Sequence, residues 1–169
     1  LWPLVLFGVI PLWVGFIIST LNIMLCYLPS HEAQHDIIGR PGSKWRWLNE
    51  TVGHLSTIPL TLPYRIAKLT HLEHHKHANH EELAPDASSA ASGPLACVWN
   101  TIQSGQPRAK GGFNAYGEAL ARIGRPEVVL DGVIYNIVFY GTLSALAWNG
   151  FALEAALLWW LPRWIALIY

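Results

Sequence analysis

The sequence predicts an all-α integral membrane protein, in which transmembrane helices are joined by cytoplasmic or interfacial helices. Three observations carry that expectation. Of 169 residues, 52% are hydrophobic and only 13% charged, where soluble domains carry about 25% charge. The apolar residues gather into three long blocks, and nearly all the charge lies in the segment between the first block and the other two. Eleven basic and eleven acidic side chains cancel, so nothing supplies the basic footprint that phosphate contacts require. This composition excludes a disordered tail, a collagen-like fibre, a disulfide-stapled secreted domain and a nucleic-acid binder. Eight histidines remain unexplained by class alone.

No charged residue occurs in 1–28, and residues 7–28 supply the roughly 20 apolar positions that one crossing needs. Pro11 falls where an earlier short segment would end. A second block covers 128–148, interrupted only by Asp131, and a third covers 151–169. The Asn149-Gly150 pair between them is a tight-turn signal, so these blocks read as a transmembrane hairpin. Trp148, Trp159, Trp160 and Trp164 are candidate interfacial anchors, although Trp159 and Trp160 lie near the middle of their block and suit packing against neighbours. Residues 1–169 thus read as a single membrane domain. Because Leu1 and Tyr169 both fall inside apolar runs, the chain is expected to be an internal piece of a longer polypeptide. Cys26 and Cys97 lack CxxC spacing and read as free thiols.

The segment 30–126 holds Arg40, Lys44, Arg46, Arg65, Lys68, Lys76, Arg108, Lys110, Arg122 and Arg125, ten of the eleven basic residues. The hairpin turn has none, so the positive-inside tendency places the segment in the cytoplasm and the turn outside. Arg163 is the exception. Inside the last block and beside Pro162, it is expected to face the protein interior, pair with an acid or snorkel to an interface. Within the cytoplasmic segment, 51–64 is apolar, too short to cross and broken by Pro59 and Pro63, which suits a helix at the membrane surface. Residues 65–80 contain no proline or glycine and permit one continuous helix. Residues 81–93 and 104–112 read as loops, and 113–123 as a short surface helix stopped by Gly124 and Pro126.

Seven histidines fall in two clusters, His31-Glu-Ala-Gln-His35 and His71-Leu-Glu-His74-His75-Lys-His77-Ala-Asn-His80. On a helix advancing about 100° per residue, His31 and His35 are about 40° apart and share a face, while His71, His74 and His75 fall within about 100°. His77 and His80 point away from His71 by about 120° and about 180°. Geometry therefore nominates His31, His35, His71, His74 and His75 as metal ligands. Neutral imidazoles three or four residues apart can converge on iron, zinc, copper or nickel. Five nitrogens exceed what one tetrahedral zinc uses, which favours two ions with further ligands still to come. Glu32 and Glu73 lie off the ligand faces, against a carboxylate-bridged site of the ExxH kind. His54 reads as a packed histidine, and His77 and His80 as solvated residues or partners that orient ligands.

These residues resemble the histidine boxes of the membrane-bound fatty acid desaturase and hydroxylase superfamily. His31-Glu-Ala-Gln-His35 is similar to its HxxxH box at the cytoplasmic end of a transmembrane helix, and His71-Leu-Glu-His74-His75 to its HxxHH box; the hairpin that follows also agrees. The resemblance implies a non-haem di-iron centre with two iron ions and O2 as co-substrate. It further implies a lipid or acyl-chain substrate and an electron donor such as a ferredoxin, a cytochrome or a rubredoxin-like protein. The implied activity is fatty acid (acyl-lipid) desaturation in lipid metabolism. Hydroxylases and carotenoid ketolases share these boxes and stay open as alternatives. An alternative of another class is a histidine-rich membrane metal-binding or transport protein, against which the first block offers only Ser19, Thr20 and Asn22 as polar groups. Many desaturases and ketolases carry Asp-Pro-Asp after the second box, and Ala84-Pro85-Asp86 keeps its last two residues. The family has a third box beyond the hairpin, whereas no histidine follows His80. The resemblance therefore implies an incomplete site and an inactive protein for residues 1–169 alone.

Overall fold

A computed structural model describes residues 1–78, 80, 83–85, 91–104 and 113–168, and every regular element among them is helical. A short α1 (Trp2–Leu6) turns at Gly8 into Pro11, which caps α2 (Leu12–Gln34). With 23 residues, α2 is about 35 Å long at about 1.5 Å per residue, more than a hydrocarbon core of about 30 Å. The helix thus runs on past 7–28 and carries His31 in its last turn. After a turn come α3 (Arg46–Thr57) and α4 (Tyr64–Lys76), then α5 (Pro94–Ser104) and α6 (Phe113–Arg122). A 3-10 turn (Pro126–Val128) leads into α7 (Val129–Trp148). The Asn149-Gly150 turn, with Gly150 at φ +89°, reverses the chain into α8 (Ala152–Ala155), a π turn (Ala156–Trp160) and α9 (Leu161–Ile168).

Among the described residues two helices, Leu12–Gln34 and Pro126–Trp148, are long and apolar enough to span a membrane. Their apolar side chains point outward: Trp13, Ile17, Leu21 and Leu25 on the first, Ile134, Ile137 and Val138 on the second. A long helix that is apolar on its exposed face suits lipid and not water. The third block differs from a plain crossing helix because the π turn interrupts it. A π turn shifts the backbone register and leaves carbonyls to be satisfied from outside the helix, and here the Ser19 hydroxyl donates to the Leu158 carbonyl. Gly15 makes that approach possible, since a Cβ there would stand 2.6 Å from Val5 and 3.0 Å from Leu158. The described part of the third block therefore packs along α2.

Helix α3 starts before the apolar run 51–64 and ends before Pro59, and α4 stops at Lys76, where His77 takes φ −123° and its N–H bonds to the Glu73 and His74 carbonyls. The freedom from proline over 65–80 allowed a longer helix without requiring one. Ile66, Leu120 and Val128 form a fully buried core joining α4, α6 and the 3-10 turn. The loops expected over 81–93 and 104–112 lie largely outside the described residues, as do Asp86, Arg108 and Lys110. Cys26 and Cys97 form no disulfide.

Candidate metal centre

The end of α2 is fixed before any histidine is considered. Asp36, directly after His35, adopts the left-handed region at φ +57°, a backbone state that aspartate tolerates better than most residues. Its carboxylate accepts hydrogen bonds from Arg46 and Lys68. Burial works to raise the Asp36 carboxyl, and those two hydrogen bonds outweigh it and hold it below its ordinary range. Buried Asn49 on α3 donates to the Ala33 carbonyl (2.9 Å) and accepts from the Gly39 N–H (3.3 Å). Tyr64 at the start of α4 donates to the same Ala33 carbonyl at 2.7 Å. Burial, followed by the charges of Glu50 and Asp36, pushes the Tyr64 hydroxyl up to about 12, so it remains a donor. The Ala33 carbonyl, which also accepts the Asp36 N–H at 3.1 Å, is thereby tied to two neighbouring helices. Gly53 lets this happen, because a Cβ there would overlap the Tyr64 ring.

With α2 and α4 pinned, their C-terminal ends bring the histidines together. The Nε2 of His71 lies 3.0 Å from that of His35 and 3.0 Å from that of His75. The ring of His31 stands 4.8 Å from His35 and 4.7 Å from His71. One ligand atom from each of His31, His35, His71 and His75 falls within 4.8 Å of all the others. Nitrogens sharing an ion at about 2.1 Å stand about 3 Å apart, so this spacing suits a bound metal. Burial, then the neighbouring His31 and His75, pushes His71 down to about 4, and the same causes lower His35. Both rings are neutral at neutral pH, the form that ligates. Four imidazole nitrogen donors, with no carboxylate in the cluster, fit a borderline metal such as iron.

His74 lies outside this quartet. Its ring stacks on that of His71 at 6.3 Å and stands edge-on to that of His75 at 5.7 Å. It lines, with His71, an apolar cleft of about 560 Å3 between α2, α4, α6 and α9, whose walls include Leu28, Leu60, Leu62 and Leu167. His77 meets Glu73 at 3.3 Å, and His80 accepts the Leu83 N–H at 3.3 Å. Neither joins the cluster. His54 is exposed and sets its ring edge-on to Tyr64 at 5.0 Å. Glu32, off the ligand face, instead reaches the Nδ1 of His31 at 3.4 Å, the contact by which a carboxylate orients a ligating ring. Sequence reasoning missed Asn49 and Tyr64 altogether; their only signal was a polar and an aromatic residue beside the two boxes. Arg163 faces the interior, yet among the described residues no carboxylate pairs with it. Its Nε donates to the Leu60 carbonyl at 3.1 Å, and its guanidinium lies over Phe139 and Trp164.

Among the described residues, an all-helical scaffold with two helices long and apolar enough to span a membrane, whose helix ends present four imidazoles beside an apolar cleft, defines a class: helical histidine-cluster proteins. The sequence profile described as "Fatty acid desaturase" matches residues 7–169, and the chain belongs to that family. It is 42% identical over 45 residues to an sn-1 oleoyl-lipid 12-desaturase of Anabaena variabilis, covering 27% of this chain and 13% of that protein. It is 41% identical over 49 residues to the sn-1 oleoyl-lipid 12-desaturase of Synechocystis, covering 29% of this chain and 14% of the relative. An sn-1 acyl-lipid omega-3 desaturase (ferredoxin) of Nostoc is 43% identical over 42 residues, 25% of this chain and 12% of that protein. The matched stretches thus span only a small part of these curated relatives. No solved structure shows a significant match.

Proposed function

We propose that the protein is an iron-dependent acyl-lipid desaturase that draws on O2. The observation that supports this most is that His71 belongs at once to the imidazole cluster and to the wall of the apolar cleft. His31, His35, His71 and His75, with His74 beside them, would hold two iron ions, which supply the O2-dependent oxidation of an unactivated C–H bond. The chain's own residues do the rest. Leu28, Leu60, Leu62 and Leu167 take up a lipid acyl chain and exclude water, since apolar walls favour a hydrocarbon by about 25 cal/mol per Å2 removed from water. Glu32 orients the His31 ring, and Asp36, Asn49 and Tyr64 keep the two helix ends in register. The basic residues around the boxes, among them Arg40, Lys44 and Arg46, support a cytoplasmic position for this side. There an electron donor such as a ferredoxin, a cytochrome or a rubredoxin-like protein reaches the site; one relative's name carries ferredoxin.

Lipid analysis of cells expressing the whole protein tests the reading. A new double bond in an acyl chain, lost together with bound iron in His71→Ala, is the expected result. A hydroxyl or keto product assigns the protein to the hydroxylase or ketolase branch instead, and iron-independent product formation overturns the proposal.

A further inference from the structure

The segment between α3 and α4 is unusual in three respects. Pro63 lacks the N–H that would bond the Pro59 carbonyl if the helix continued. Thr61 is a β-branched residue at φ +53°, with its buried hydroxyl unpaired among the described residues, and such a residue in the left-handed region is held there by its surroundings. Leu60 and Leu62, on either side of Thr61, both line the cleft.

The surroundings that hold it come from the other end of the chain. Trp159, in the π turn, donates its indole N–H to the Pro59 carbonyl at 3.0 Å. One helical turn later, Arg163 donates to the Leu60 carbonyl at 3.1 Å. An arginine in an apolar block is costly unless its donors are used, and here one donor is spent on a loop carbonyl while the aromatic rings of Phe139 and Trp164 flank the guanidinium. Two consecutive carbonyls released by the helix break are thus taken by two side chains one turn apart. The π turn contributes to this register, since it offsets residues 156–160 from the α-helical phase of the flanking turns.

We propose that Trp159 and Arg163 are positioning residues that fix Leu60 and Leu62 as the wall against which the acyl chain is measured. They thereby decide which carbon lies next to His71. The inference rests on the desaturase reading and assigns the determinant of substrate length and double-bond position. It is tested in the whole protein, with product analysis by double-bond position. Trp159→Phe keeps the ring and removes the donor; Arg163→Met keeps the bulk and removes the charge; Thr61→Gly relieves the backbone and lets the wall move. Each is expected to raise the share of products with a displaced double bond several-fold over wild type. Leu62→Ala leaves both hydrogen bonds intact and should admit longer chains, which keeps the proposal testable where a clamp variant is not inserted. Variants that insert normally and give the wild-type product distribution, at whatever rate, overturn the clamp while sparing the desaturase reading. A wild type that forms no double bond overturns both.

Discussion

His71 is the residue on which the site turns, because it touches both its helix partner His75 and His35 across the gap. Its pKa lies at about 4 in the folded chain, below the ordinary 6.5, so protons bind the unfolded chain more tightly. The contribution of His71 to the stability of the metal-free protein should therefore be complete above about pH 6.5 and be lost as the pH falls towards 4. Thermal unfolding in detergent across that range checks this; His71→Ala should show a shallower slope, and an unchanged slope would refute the assignment. His77→Ala, away from the cluster, should retain iron that His71→Ala loses, as metal analysis of the purified proteins would show. Gly53→Ala forces a methyl into the Tyr64 ring and should cost about 1–3 kcal/mol of stability. The wheel argument put His31 with His35 and His71 with His74 and His75 on shared faces, and four of these five meet in one cluster. It could not set the distance of His74, because angle along one helix says nothing about how deep the facing helix sits. It also tested Glu32 only as a ligand and so passed over its reach to a ring nitrogen.

At the level of elements, the end of α2 is held by α3 and α4 through Asn49, Tyr64 and Asp36. Asn49→Ala leaves the Gly39 N–H and one bond to the Ala33 carbonyl unmade, at a cost of about 1–3 kcal/mol for buried polar groups. Iron should dissociate faster from this variant although no ligand is altered, which release to a chelator would measure; an unchanged rate would show that α2 holds its histidines unaided. The breaks at Pro59 and Pro63 were legible, since proline's missing N–H is a local property. Which residues would take the released carbonyls was not legible, because Trp159 and Arg163 lie about a hundred positions away and no local pattern announces them. The start of α3 was likewise hidden, as Arg46 enters the helix through a turn closed by Ser43 and Gly42 rather than by an apolar period.

For the whole molecule, composition and the three apolar blocks announced a helical membrane-type chain, and the Asn149-Gly150 pair announced the reversal. The π turn was invisible beforehand, because Ala-Leu-Leu-Trp-Trp contains no helix breaker and its register depends on Ser19 waiting on α2. The topology predicts that, with Cys26 and Cys97 replaced by serine, cysteines introduced at Arg40 and Asn149 will be labelled by an impermeant reagent from opposite sides of the membrane. Labelling of both from one side would overturn the orientation. One further consequence follows from the way α2 and α4 both terminate on the imidazoles. Each helix end contributes the equivalent of about half a negative charge, at a place where the ligands themselves bring none. Every added unit of positive charge on a bound ion is favoured by that pair of helix ends. The same four rings set at two helix beginnings would favour the lower charge of a bound ion; set at two helix ends, they would make electrons easier to withdraw from it.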